Sequence, residues 1–335
     1  MGGVDVPHVS SVSEAMEIGS AREQSQHALF ADLVLKAAKL GPVPYAAVWP
    51  CEQHALQGVV DAAAQGILAP VLVGDGAAMA ACAQENGLDI SGLKVVEAST
   101  PSAAVEQAIA LVHAGEAHGL IKGSLHTDTL MHGVCSPQSG LQTARRMSHI
   151  FLIAAPAYDG LLFVTDAAIN IVPDLETKRD IVQNAIDLHL GLGLGTPRVA
   201  ILSAVETVNP RIQGTLDAAC LCKMAERGQI TGGILDGPLG MDNAVDGEAA
   251  RIKGIVSPVA GRAQILVTPD LEAGNMLAKN LIFMAGADSA GIVMGAKVPV
   301  LLTSRADSVQ ARLASAAVGA LYARTLRARP VYTCA

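Results

Sequence analysis

Short apolar runs alternate with longer amphipathic stretches along most of the chain. Residues 1–27 are polar and lead into helical spacing over Ala28–Leu40. Tyr45–Trp49, Pro70–Val73, Lys94–Val96 and Leu120–Lys122 then predict strands, with helices over Glu52–Gln65, Ala77–Asn86 and Ala103–Ala114 between them. A second series predicts strands at Ile150–Ala154, Leu161–Val164, Arg198–Leu202, Ile234–Leu235 and Ile265–Val267. Its helices are Leu175–Leu190, Leu216–Arg227, Gly247–Lys253 and Ala273–Ala285. Gly291–Thr303 is apolar but broken by Lys297 and Pro299, and Ser308–Leu326 predicts a closing helix. This rhythm predicts an α/β protein with parallel-rich sheets and right-handed crossovers. Two lobes are expected, one of residues 1–148 plus 290–335 and one of 149–289. The break follows Arg145-Arg146-Met147-Ser148-His149. Ligand-binding residues are expected in the loops that follow strands, facing a cleft between the lobes.

Composition narrows the class. The 335 residues exceed one ordinary core at ~150 residues per domain. Hydrophobic residues at 51% against 16% charged exclude general disorder. Aromatics are only 3%, so the core rests on Ala, Val, Ile and Leu, which suits buried parallel strands under Ala-rich helices. The net charge of −8 and the lack of a long basic run give no nucleic-acid footprint. An anion would have to be held locally, by Arg, Lys and helix N-termini. No apolar run reaches the ~18 residues of a membrane span. Asp5, Glu14, Glu17 and Glu23 interrupt the N-terminal segment, so no signal peptide is expected. Cysteines 51, 82, 135, 220, 222 and 334 form no CxxC pair, which predicts reduced thiols in the cytoplasm.

Three segments carry candidate chemistry. Leu301-Leu302-Thr303-Ser304-Arg305-Ala306-Asp307-Ser308 runs from a strand into the last helix. Ser304 with Asp307 fits a helix cap. The same turn fits an anion site, in which exposed N–H groups, the Ser304 hydroxyl and the Arg305 fork hold a phosphate. Asp307 is then either a dipole-favoured carboxylate or a base. Ile121-Lys122-Gly123-Ser124-Leu125-His126-Thr127-Asp128 also passes from strand to helix. It fits a phosphate or pantetheine contact through Lys122, His126 and Thr127, or a plain turn capped by Thr127 or Asp128. It is not a Walker loop. Thr165-Asp166-Ala167-Ala168-Ile169-Asn170 follows a third strand, where a buried Asp166 orients backbone or an arginine. Asp236, with Asp242, and Asn275 occupy further strand-end loops. Two patterns are set aside. Gly191, Gly193 and Gly195 end a helix instead of opening one, unlike a dinucleotide fingerprint. His113-Ala-Gly-Glu116-Ala-His118 has no zinc-site spacing.

From Ser304-Arg305-Ala306-Asp307-Ser308 outward, the sequence resembles the phosphate acetyltransferase / phosphate butyryltransferase family. The resemblance runs over nearly the whole chain after about residue 43. It takes in Lys122-Gly123 with Thr127, Gly140-Leu141, Met147-Ser148-His149 and Thr165-Asp166 with Asn170. It continues through Asp236-Gly237-Pro238-Leu239 with Asp242, Val259-Ala260-Gly261, and Pro269-Asp270 with Gly274-Asn275 and Lys279. The Met147-Ser148-His149 and Ser304–Asp307 forms look nearest the butyryl branch, and the chain also looks like the transacylase part of enoyl-CoA hydratase fusions.

The resemblance implies an isocitrate/isopropylmalate-dehydrogenase-like fold with the active site between two lobes. It implies acyl-CoA, inorganic phosphate and acyl phosphate as ligands. It also implies coenzyme A as substrate with no cofactor, no metal, and a homodimer or larger homo-oligomer. Arg305 would anchor phosphate, Ser304 would hydrogen-bond the thiol sulfur or the oxyanion, and Asp307 would assist deprotonation. Lys122, His126, Thr127, Asp166, Asn170, Asp236 and Asn275 would line the substrates. Two positions depart from the family pattern. The acetyl branch's proposed basic aspartate, seven residues past the serine, is Ala311 here, and an arginine typical of the butyryl branch is His132. The alternatives are a metal- and NAD-dependent dehydrogenase of the same fold and a non-catalytic acyl-CoA-binding protein.

Overall fold

The computed structural model describes residues 27–303 and 307–328. Helix α1 covers residues 27–39. It leads to β1 (Val43–Val48), α2 (Gln53–Ala64), β2 (Leu68–Gly74), α3 (Gly76–Asn86), β3 (Lys94–Glu97), α4 (Pro101–His113), β4 (Leu120–Lys122) and α5 (Thr127–Cys135). After a 3-10 turn come β5 (Ser148–Ala154), β6 (Leu162–Thr165), α6 (Leu175–Gly191), β7 (Arg198–Leu202), α7 (Gln213–Glu226) and β8 (Ile234–Leu239). The chain continues as α8 (Met241–Val245), α9 (Gly247–Ile252), β9 (Ile265–Val267), α10 (Leu271–Phe283), β10 (Asp288–Met294), β11 (Val300–Leu301) and α11 (Val309–Ala328). Several helices start where a side-chain oxygen takes a free N–H: Asp75 accepts from Ala78, Asp174 from Thr177 and Asp270 from Ala273.

All eleven strands join one sheet in the order β3-β2-β1-β4-β11-β10-β5-β6-β9-β7-β8. The five strands from β3 to β11 are mutually parallel, as are the four from β6 to β8. Between them β10 runs antiparallel to both β11 and β5, and β5 antiparallel to β6. These reversals follow from the connections. Residues 155–161 and 295–299 are too short for a crossover, which takes about a dozen residues or more, so those strands turn back on their neighbours. The two parallel groups therefore point in opposite directions within the sheet.

Helices cover both faces. One apolar core runs under the entire length of the sheet, joining Phe30, Leu56, Met79, Ile181, Leu221 and Leu321 of six different helices. The other face holds two cores, one under α4 and α5 and one under α8 and α10. The aliphatic composition is expressed directly, since Phe163, Tyr45 and Tyr322 stand out among otherwise aliphatic fully buried large side chains. Near-continuous burial of β1, β6 and β10 is what strands covered on both faces require.

Candidate active site

Strand β1 lies between β2, which follows it in sequence, and β4, which the chain reaches only after β3. Winding reverses there, so the connections leaving β1 and β4 diverge and open a crevice beyond their C-terminal ends. Glu52, His54 and Ala55 from the start of α2 form one wall, and Lys122, Gly123 and Ser124 form the floor. Thr303 and Arg312, before and inside α11, close the other side.

The floor is held by backbone. Gly123 N–H donates to the Val48 carbonyl and Ser124 N–H to that of Trp49, both at 2.8 Å. A Cβ at 123 would collide with these same two carbonyls, so only glycine fits. The Glu52 N–H donates to Ser124 Oγ at 2.9 Å, tying α2 to the floor. Thr303 Oγ1 donates to the Lys122 carbonyl at 3.0 Å, clamping the end of β11 to the end of β4. Lys122 Nζ reaches the carbonyls of Gly123 and Leu125, each at 3.2 Å, which holds the ammonium at the crevice.

Both expected caps move. Helix α5 begins at Thr127, so Thr127 and Asp128 lie inside its first turn, and His126 at the N-cap gives no side-chain bond. The first turn is left without a side-chain cap. At α11 the cap falls on Ser308, whose Oγ accepts from the Ala311 N–H at 3.1 Å, with the half-buried Asp307 just before it. Ser304 and Arg305 lie outside the described residues.

The remaining expected residues stand elsewhere. Asp166 is buried just past the end of β6, a strand that runs opposite to β4 and lies four positions from it in the sheet. Its carboxylate accepts from the N–H groups of His149, Ala168, Ile169 and Asn170, and from the Asn170 side-chain amide. A carboxylate offers about four lone-pair sites, so these five donors fill it. Asn170 also donates to the Met147 carbonyl at 2.8 Å, and Asn275 to the Ala167 carbonyl at 3.0 Å. The three residues thus form one polar knot around the loop after β6. Asp236 sits on the edge strand β8, where its Oδ1 accepts from the Gly237 N–H at 2.8 Å. That is seven strand positions from β4, roughly 30 Å along the sheet.

A larger cleft of about 410 Å³ lies on the knot's side of the sheet, lined by Thr143, Arg146, Asn170 and Arg179 among others. Within it Arg179 stands 2.9 Å from Asp180 and Arg145 is paired to Asp187. The smaller crevice is taken as the candidate site because it lies at a winding reversal, where the ends of β4 and β11 meet the start of α2 and the first turns of α11. His113 bonds the Ser139 carbonyl at 2.7 Å and His118 contacts Arg327, so the two histidines serve separate packing contacts. The residues 191–195 form the turn leaving α6, with Gly193 and Gly195 at positive φ.

Sequence reading missed His54 and Arg312, and it gave Thr303, inside the candidate segment 301–308, no role of its own. For Arg312 a signal existed. It is a cation in the first turns of an Ala-rich helix, where the helix dipole disfavours positive charge.

A crossover-wound α/β sheet with a glycine-floored crevice at its switch point, and with Lys122 and Arg312 in the walls, is the architecture in which parallel α/β proteins place ligands at strand ends. Comparison with known proteins gives the family. The family model described as phosphate acetyl/butaryl transferase matches residues 102–320. A phosphate acetyltransferase of Rhizobium meliloti is 56% identical over 310 residues, which is 92% of this chain and 98% of the relative. A phosphate butyryltransferase of Clostridium acetobutylicum is 37% identical over 294 residues, 88% of this chain and 98% of the relative. The solved structure of a branched-chain phosphotransacylase from Enterococcus faecalis V583 matches with a TM-score of 0.73 at 30% identity, covering 84% of this chain and 99% of that one. This chain belongs to the phosphate acetyl/butyryl transferase family.

Proposed function

We propose that the protein moves a short acyl group, acetyl or butyryl, between coenzyme A and phosphate: acyl-CoA + phosphate ⇌ acyl phosphate + CoA. The observation that carries this reading is the cationic, glycine-floored crevice at the switch point, in a chain of this family. A phosphate oxygen attacks the thioester carbonyl carbon and forms the C–O bond. The resulting oxyanion collapses, the C–S bond breaks, and the thiolate leaves and takes up a proton. The reverse direction starts from the thiolate. A free thiol ionises near 8.5, so its deprotonation near neutral pH is a small demand. Holding two anionic substrates in line supplies most of the acceleration, and direct transfer in a ternary complex needs no covalent enzyme intermediate.

Arg305 anchors the phosphate, Ser304 donates to the sulfur or the oxyanion, and Asp307 assists proton transfer. Lys122, His126 and Thr127 line the facing wall, supported by the uncapped first turn of α5. Asp166, Asn170 and Asn275 act by shaping their loop, since the Asp166 carboxylate is filled by its own donors. Asp236, at the far sheet edge, supports the fold of β8. Coenzyme A is a substrate, and no resident cofactor or metal is required by this chemistry. The sheet order supports lobes of 1–148 plus 290–335 and of 149–289, because β3 to β10 are contiguous and β5 to β8 are contiguous. Five free thiols among the described residues support a reducing cytoplasm. Exposed Met276, Phe283 and Met284 on α10 and its end, beside exposed Ile171 and Val172, support a homodimer.

Arg305→Ala tests the assignment. Phosphate-dependent acyl transfer should fall by at least ~100-fold with the circular dichroism spectrum unchanged. Near-normal turnover in that variant removes Arg305 from the site.

A further inference from the structure

We propose that the cleft between the 142–147 segment and the start of α6 binds a nucleotide, with Arg146 and Arg179 on its phosphate and Asp174 and Glu176 on its hydroxyl and amine groups. This site is separate from the crevice at the β1/β4 switch point, and it does not rest on the transacylase reading.

Arg146 is exposed at the cleft, yet its backbone is held on both sides. Its N–H donates to Asp180 Oδ2 at 3.0 Å, and its carbonyl accepts from Asn184 Nδ2 at 2.9 Å. Asp180 and Asn184 stand one turn apart on α6 and are 6% and 0% exposed. A Cβ on Gly295 would stand 2.5 Å from the same Arg146 carbonyl, so the turn before β11 closes on it as well. The other Asp180 oxygen accepts from Arg179 Nε at 3.1 Å and Nη2 at 2.9 Å. One buried carboxylate thus fixes Arg146 by its backbone and Arg179 by its guanidinium. The Arg146 guanidinium itself makes no hydrogen bond or ion pair among the described residues. A side chain with nothing to hold gains little from so firm a footing. One presented to a ligand gains from it, because less freedom is lost on binding.

The remaining charges select the ligand. Arg145 is paired to Asp187 and Arg179 to Asp180. Arg146, with the spare N–H donors of Arg179, is left to take a negative group. The exposed Asp174 and Glu176, at the start of α6, are left to take donors. Asp174 caps α6 by accepting from the Thr177 N–H at 2.8 Å, and Arg146 adds only a weaker stabilisation of its charge. A bare phosphate would meet these two carboxylates as well as the arginines. A nucleotide answers both kinds of group: its phosphate takes the guanidinium donors, and the carboxylates accept from ribose hydroxyls and an exocyclic amine. The cleft of about 410 Å³ lies within the span of small-molecule sites, roughly 300–1,000 Å³, and exceeds what phosphate alone would fill.

The test is titration calorimetry and melting temperature on the full chain, in wild type, Arg146→Gln, Arg146→Lys and, as a control at an exposed arginine outside the cleft, Arg262→Gln. The probes are AMP, adenosine 3′,5′-bisphosphate (which mimics the nucleotide end of coenzyme A), adenosine and inorganic phosphate. Without a probe, Arg146→Gln should melt within about 2 °C of wild type, because its side chain holds nothing in place. A nucleotide should raise the melting temperature of wild type. Arg146→Gln should weaken its binding by roughly 10-fold or more, since a charge-assisted contact is lost. Arg146→Lys should fall between the two, and Arg262→Gln should match wild type. Adenosine and inorganic phosphate should each bind at least about 10-fold more weakly than the nucleotide. The bisphosphate binding tighter than AMP and being displaced by coenzyme A assigns the site to the nucleotide end of coenzyme A; AMP binding without such displacement assigns it to a free nucleotide. No binding of either nucleotide, equal binding in Arg146→Gln, or inorganic phosphate binding as tightly as the nucleotides overturns the proposal. Loss of acyl transfer in wild type would bring down the transacylase reading alone, because these measurements need no turnover.

Discussion

His149 shows how a single buried side chain ties the fold to pH. It lies 2% exposed in the middle strands, its ring edge-on to Phe151 with centroids 4.5 Å apart, and Nδ1 has no hydrogen-bond partner. Burial pushes its pKa down to about 4, with the nearby Asp166 pulling weakly the other way. In the unfolded chain the ring takes its proton near 6.5. Between those values the unfolded state binds more protons, so stability is full above pH 6.5 and falls as pH drops toward 4. The loss across that window is about 3 kcal/mol. Buried His189 is shifted in the same direction. His149→Phe should flatten the acid limb of a urea-midpoint series taken from pH 7 to pH 4. An unchanged limb would assign acid sensitivity to other groups. The residue scale was also where the sequence was least legible. Gly123 could be read as a close approach, because a strand-ending glycine before a polar loop has few other uses. The saturation of Asp166 could not, since its five donors come from backbone geometry that no spacing rule displays.

Between elements, a buried ion pair marks the packing of α6 on α7. Lys178 Nζ stands 2.6 Å from Asp217 Oδ2, with both side chains under 10% exposed, and Gln213 donates to the other oxygen at 2.8 Å. Removing one partner strands the other charge away from water. Asp217→Ala should therefore cost about 3–5 kcal/mol, read as a fall in the urea midpoint. The paired change Lys178→Met with Asp217→Leu should recover most of that loss, and a double variant no better than the single one would contradict this account. Most elements were visible in the hydrophobic pattern, and Leu120–Lys122, Arg198–Leu202 and Ile265–Val267 match it at both ends. What the pattern hid was direction. An alternation of strands and helices reads as parallel throughout, whereas the short connections at 155–161 and 295–299 force β5, β6, β10 and β11 to pair antiparallel. Lys297 and Pro299 were the visible trace of one reversal. The two helix caps shifted for a related reason, since the first hydrogen-bonded turn and not the first polar residue decides where a helix begins.

Across the whole molecule, the opposed directions of the two parallel groups set the sense in which their strand-end loops leave the sheet. The loops after β1, β4 and β11 leave the sheet in one direction and the loop after β6 in the opposite one. Pattern alone suggested a shared cleft of strand-end loops and carried no sign that the two parallel groups run in opposite directions. The apolar surface of α10 also belongs to this scale. Phe283 is 68% exposed and Met284 80%. Covering them against a second copy would remove roughly 25 cal/mol of unfavourable hydration per Å² buried. Phe283→Glu should move the protein toward a monomer in light scattering coupled to size exclusion, and an unchanged mass would place any subunit contact elsewhere.

The central claim is that an anion held at the β1/β4 switch point is phosphate and that it receives an acyl group. Phosphorus NMR on the purified chain with acetyl-CoA or butyryl-CoA and inorganic phosphate, with thiol counted in parallel, tests it most directly. The account predicts an acyl phosphate resonance growing in one-to-one step with released thiol, and neither product when phosphate is withheld. Thiol release that proceeds equally without phosphate, or no release with any short acyl-CoA, would contradict it.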